Sequence, residues 1–170
     1  MIPGSEWVKA IMDEYPNINI VGECWTRPAP AVAYWQSGVK NYNGFDSHLK
    51  TVMDFPVEEA IRQALETDGR GWGNGMTRVY DAVAMDYLYA DVNNIMIMLG
   101  NHDMDRIADV VKDGDLRRVK IANALLATMR GIPQVFAGDE YGLKSSDRSM
   151  GHSTLRMPLP LGEEVTDEMQ

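Results

Sequence analysis

Residues 95–106 read Ile-Met-Ile-Met-Leu-Gly-Asn-His-Asp-Met-Asp-Arg. The apolar run Ile95 to Leu99 is too short for a helix and is bounded by Gly100, which predicts a strand buried on both faces, as in parallel sheets. Asn101, His102 and Asp103 follow at once and would stand beyond the carboxyl end of that strand, where ligands and catalysis concentrate in parallel α/β folds. An Asn-His-Asp run after a strand also serves as a turn whose short polar side chains satisfy loop amides. Metal ligation by His102 and Asp103 is a third reading, although no further His or Cys group stands at ligand spacing.

A second stretch shifts the balance toward chemistry. Asn17 to Trp25 reads Asn-Ile-Asn-Ile-Val-Gly-Glu-Cys-Trp, again a strand-like run with a carboxylate past its end. Glu23 follows Gly22, a small residue that leaves access, and precedes Trp25, whose indole is expected to lower the local dielectric. Apolar surroundings favour the protonated form of a carboxyl group, which suits a general acid near neutral pH. Carboxylates at two strand ends point to glycosidic chemistry.

Outward from these stretches the chain alternates. Ser5 is a candidate N-cap for a helix that runs to Pro16, with Trp7, Ile11, Met12 and Tyr15 at helical spacing. After the first strand comes a Pro-containing loop at 26–30 and a short helix over 31–36. Leu49 to Asp54 reads as a strand, followed by a helix with Pro56 in its first turn and Val57, Ile61, Ala64 and Leu65 as its buried stripe. Asp54 is expected to satisfy backbone amides at that helix start. A Gly-rich loop over 68–77 leads to a helix over 76–90 presenting Met76, Val79 or Tyr80, Val83 and Tyr87 to the sheet. Asp113 to Asp115 begin another helix, with Leu116, Val119, Leu125, Leu126 and Met129 inward; Gly131 and Pro133 end it. Repeated strand and helix predict a parallel sheet with functional loops at one end.

Val21-Gly-Glu-Cys-Trp25, Leu99-Gly-Asn-His-Asp103 and Gly131-Ile-Pro-Gln-Val-Phe-Ala-Gly-Asp-Glu-Tyr-Gly142 resemble, in order, motifs of the alpha-amylase family of glycoside hydrolases, family thirteen. Tyr34-Trp-Gln36 and Thr51-Val-Met-Asp-Phe55 are most similar to its cyclomaltodextrinase and neopullulanase branch. The resemblance implies an α/β fold, a partial (β/α)8 TIM barrel of about the fifth to eighth βα units. On this reading residues 1–170 are the C-terminal half of a catalytic barrel with no second domain. It further implies a retaining hydrolase or transglycosylase of α-glucosidic bonds, with Glu23 as general acid/base and Asp103 stabilising the transition state. His102 would donate to a sugar hydroxyl, Asn101 would orient the loop, and Arg156 would border the substrate groove. Trp25 offers a flat apolar face for a pyranose ring; Tyr34 and Trp35 share that chemistry, but core packing is the simpler expectation for them. Arg106 is placed beside Asp103 or Asp105 as a neutralising charge.

The family's nucleophilic Asp sits after the fourth strand, and nothing like that motif precedes Ser5, so this chain by itself is expected to be inactive. The missing N-terminal half of the barrel is the expected partner, along with α-glucan oligosaccharides; exposed edge strands would also allow a homo-oligomer. A noncatalytic carbohydrate-binding or scaffold protein on the same fold is the rival reading. No cofactor or metal is expected, although structural calcium is common among relatives. Met1 to Gly4, just ahead of a helix start, reads as a truncation point.

Composition fits. A chain of 170 residues with 45% hydrophobic content can bury a sizeable core, yet a complete (β/α)8 barrel needs about 250 residues. A net charge of −9 argues against nucleic acid or an anionic membrane as partner, while a neutral sugar is indifferent to it. The single cysteine, Cys24, excludes an internal disulfide and reads as a small packed residue.

Overall fold

Each apolar run becomes a short strand, and the strands lie side by side in chain order. The computed structural model describes residues 4–145 and 148–159. Strand β1 (Val21–Gly22) pairs in parallel with β2 (Thr51–Val52), Val21 opposite Thr51. Met53 bridges to Met96, which brings β2 beside β3 (Met96–Met98), and β3 pairs in parallel with β4 (Ile132–Gln134). This is a partial (β/α)8 barrel, with β1 and β4 as its outer strands. Val21 of β1 and Ile132 of β4 are 39% and 40% exposed.

The helices between the strands supply the core. Helix α1 (Gly4–Glu14) precedes β1, α2 (Ala29–Ala33) and then α3 (Phe55–Glu66) and α4 (Met76–Val83) follow, and α5 (Ile107–Val110) and α6 (Leu116–Thr128) lie between β3 and β4. The larger apolar cluster joins Ile61 and Leu65 of α3, Ile97 and Leu99 of the β3 run, Ile107 of α5 and Leu126 of α6. The expected stripe of α3 is buried in full, and Val119 and Leu126 of α6 are buried with Leu116, Leu125 and Met129 packed partly against them.

Other expectations need correction. Helix α1 buries Val8, whereas Trp7 and Tyr15 are 59% and 60% exposed, so its aromatic stripe does not face this core. The helix expected over 76–90 stops at Val83 and gives way to 3₁₀ turns, and of its predicted stripe only Val79 is buried while Tyr80 and Tyr87 lie in solvent. Helix α2 begins at Ala29, ahead of the expected 31, because Pro30 fits the first helical turn. The strands are also shorter than the apolar runs that predicted them.

Buried polar groups lock these pieces. Gln36 uses its whole amide: Nε2 donates to the carbonyls of Lys50 (3.2 Å) and Asp91 (2.7 Å), and Oε1 accepts from the amides of Ala90 and Asp91. Asp54 caps α3 by accepting from the Val57 amide at 3.2 Å, as its position predicts, and also pairs with Arg130 at 2.6 Å. Arg130 in turn holds Asp86 at 2.5 Å, so one guanidinium joins the start of α3, the turn after α4 and the entry to β4. Burial pushes the Asp54 carboxyl up and Arg130 pulls it back. Gly131, at φ +100°, lets the chain pass so close to β3 that a Cβ there would sit 2.7 Å from the Ile95 carbonyl oxygen.

Arg130→Met leaves Asp54 buried without its counter-charge and should destabilise the fold by about 3–5 kcal/mol, read as a lower urea midpoint. Adding Asp54→Asn to that variant should recover part of the loss, since a neutral amide needs no ion partner.

Candidate active site

The site is built where β1 and β3 end. Glu23 leaves β1 directly and is exposed, held through Oε1, which accepts from Asn101 Nδ2 at 3.2 Å. Gly22 does not leave the open access expected of it: the space a Cβ would take is filled by the Leu49 side chain, 2.5 Å from that position, so the glycine serves close packing of Leu49 against β1. Glu23 and Trp25 line one recess of about 380 Å³ with Gly22, Cys24, Thr26, Trp35 and Leu49. Trp25 is 51% exposed and lies with one side stacked on Phe55, ring centroids 5.3 Å apart. Burial pushes the Cys24 thiol up to about 11, the opposite of what a nucleophilic thiolate needs. Tyr34 stacks on Phe45 at 5.2 Å, the packing role expected of it, whereas Trp35 meets both rings edge-on but is 40% exposed on the recess beside Glu23, so core packing does not describe it.

Asn101 is the hinge of the arrangement. Only 3% exposed, it donates to Glu23 while its Oδ1 accepts from the Asp103 amide at 2.9 Å and its carbonyl accepts from the Met104 amide at 3.2 Å. One side chain therefore shapes the turn and links the ends of two strands. On the open side of the turn, His102 Nε2 lies 3.2 Å from Asp103 Oδ2, and Arg156 Nη2 donates to Asp103 Oδ1 at 2.9 Å. Glu23, Asn101, His102, Asp103 and Arg156 are thus joined by consecutive contacts.

Arg106, expected to neutralise Asp103 or Asp105, pairs instead with Asp139 at 3.0 Å. Arg106 is 2% exposed and turned into the core, donating to the carbonyls of Ala137 (3.0 Å) and Leu155 (3.2 Å), with its guanidinium 4.2 Å from the Phe136 ring centroid. The Leu155 carbonyl it holds immediately precedes Arg156, the residue that reaches Asp103. Burial pushes the Asp139 carboxyl up to about 6 against the pull of Arg106. Among the described residues, no three His, Cys, Asp or Glu side chains gather as metal ligands would. No helix there is long and apolar enough to cross a membrane.

Comparison with known proteins supplies an independent view. The family model for the alpha amylase catalytic domain matches residues 4–165. A cyclomaltodextrin glucanotransferase of Geobacillus stearothermophilus is 27% identical over 139 residues, covering 79% of this chain and 18% of the relative. An alpha-amylase of Streptomyces lividans is 33% identical over 124 residues, 65% of this chain and 12% of its own length. Among solved structures, the cyclic alpha-maltosyl-(1→6)-maltose hydrolase of Arthrobacter globiformis, in complex with that cyclic sugar, aligns with TM-score 0.76 at 20% identity. That match covers 99% of this chain and 36% of the hydrolase. An alpha-amylase of Geobacillus thermoleovorans complexed with acarbose aligns with TM-score 0.72 at 21% identity, over 97% and 35% of the two chains. The chain therefore spans well under half the length of these relatives.

Asp139 provides a pH test of the Arg106 anchor. Its folded value of about 6 lies above the ordinary 3.8, so its share of stability is complete below about pH 4 and declines as the pH rises to 6. In Asp139→Asn that part of the slope should vanish, measured as the difference in urea midpoint between the two proteins from pH 4 to pH 7.

Proposed function

Because the chain belongs to the alpha-amylase family, whose catalytic-domain model matches its residues 4–165, we propose that it is the C-terminal half of a retaining α-glucan hydrolase or transglycosylase barrel. The observation that carries this reading is the contact chain running from Glu23 through Asn101 to Asp103, His102 and Arg156 at one end of the parallel sheet. Glu23 is the general acid/base. Asn101 donates to Oε1, which leaves Oε2 to carry the proton toward the departing glycosidic oxygen. The resulting carboxylate then takes a proton from the incoming water or sugar hydroxyl.

Asp103 accepts hydrogen bonds from hydroxyls of a distorted sugar ring and favours its oxocarbenium-like state, held in place by Arg156. His102 donates to a neighbouring hydroxyl, and the free face of Trp25 carries a ring by stacking. The covalent step needs a carboxylate nucleophile from the preceding barrel half, so the isolated chain does not turn over. Carboxylates suffice for this chemistry, and it calls on no metal or cofactor. For the finer specificity we favour the cyclomaltodextrinase and neopullulanase branch. Its support is the likeness of Tyr34-Trp-Gln36 and Thr51-Val-Met-Asp-Phe55 to that branch, together with relatives named for cyclic glucans.

Maltoheptaose and cyclodextrin turnover tests the proposal. The chain alone should be inactive, and the same chain joined to the preceding barrel half should be active. Glu23→Gln in the joined protein should lower kcat by about 10²–10⁴-fold. Turnover by the isolated chain that disappears with Glu23→Gln, or activity of the joined protein that survives it, would sink the reading.

A further inference from the structure

Helix α3 carries an arginine that the proposed chemistry does not use. The Arg62 side chain is 11% exposed and points toward the loop that bears Asn101, His102 and Asp103. A single nitrogen, Nη1, donates to the carbonyls of Leu99 at 3.2 Å and Asp105 at 2.6 Å. Leu99 is the last residue of the buried apolar run and Asp105 closes the loop, so both ends of the loop converge on one guanidinium. Gly100 lies directly against it, with Nη1 only 3.7 Å from where a Cβ would stand. The hydrogen bonds inside the turn, made by Asn101, fix its shape; Arg62 ties that shape to the helix layer.

Glu58, one turn earlier on α3 and 1% exposed, lies with Oε1 3.0 Å from Arg62 Nε. That oxygen is close enough to attract the guanidinium but is not aligned to accept a hydrogen bond from it. Burial pushes the Glu58 carboxyl up to about 8, with Arg62 pulling the other way. The planar guanidinium of Arg62 sets Nε beside the carboxyl and Nη1 on the two carbonyls at once, a spread that the single nitrogen of Lys cannot reproduce.

We infer that Arg62, steered by Glu58, is a positioning residue that sets the distance of Asp103 and His102 from Glu23 without touching substrate. The inference rests on the roles given above to Glu23 and Asp103. A displacement of about 1 Å at a reacting group costs as much as hundredfold in rate, so a loop freed from its anchor loses turnover before it loses substrate affinity.

The test uses the joined protein with maltoheptaose. Arg62→Met combined with Glu58→Gln removes the pair without leaving a buried charge, and Arg62→Lys keeps the charge but not the fork. Both should lower kcat per folded molecule by about tenfold or more, with KM within about twofold of wild type. Thermal midpoints measured alongside give the folded fraction, and if the double variant fails to fold, Arg62→Lys alone decides the outcome. Wild-type kcat in the folded variants overturns the inference, as does a loss of rate explained by unfolding alone. Asp103→Asn run in parallel separates the two claims. If it is inactive while the Arg62 variants are normal, only the positioning role fails; if it is active, the site assignment fails and the positioning role with it.

Discussion

The strand from Ile95 to Leu99 has neighbours on both edges and, apart from half-buried Met96, side chains shut off from solvent on both faces, and the rest of the molecule depends on that enclosure. A backbone so placed must have its amides and carbonyls paired on either side. Asp54 N donates to Met96 O from one neighbour, and Ile132 N donates to Ile95 O from the other. The strand is consequently the least movable part of the chain, and whatever leaves its carboxyl end inherits a fixed starting point. The turn at Asn101 begins from that point, which is why a mostly polar loop can hold an ordered set of side chains.

Charges buried beneath the loops carry this order outward. Arg62, Arg106 and Arg130 each reach across elements far apart in sequence, and much of what they hold is backbone carbonyl or a single carboxylate. Burial of such pairs adds little net stability, because desolvation offsets the attraction. Their value lies in geometry: each guanidinium has few ways to satisfy its donors, so the segments it joins have few ways to sit.

The sheet and most helix faces were legible because apolar runs, Pro and Asp caps and inward stripes act locally. Val57, Ile61, Ala64 and Leu65 announce their burial by spacing alone, and Asp54 announces its cap by preceding Phe55-Pro56. The faces of α1 and α4 were misread for a physical reason: Trp7, Tyr15, Tyr80 and Tyr87 are amphipathic rings, and spacing says which side they share but not what covers it. The candidate site was legible as motifs, yet its supports were not. Nothing in the run Asn101 to Arg106 reveals that Arg106 turns inward to Asp139, thirty-three positions later. Arg62 gives no signal at all, since a carbonyl partner carries no side-chain identity.

The parallel pairing has a kinetic consequence. Val21 opposite Thr51, Met53 opposite Met96 and Met96 opposite Ile132 are joins between residues 30, 43 and 36 positions apart. Each requires a long loop to close before any contact is made, which slows nucleation relative to local helix contacts. The larger core joins α3, β3, α5 and α6, and short connections link β3, α5 and α6, so assembly would start there and reach β1 last. During synthesis, β1 would wait for its partner strand β2 until residues 51–52 emerge, and would stay unpaired over that interval.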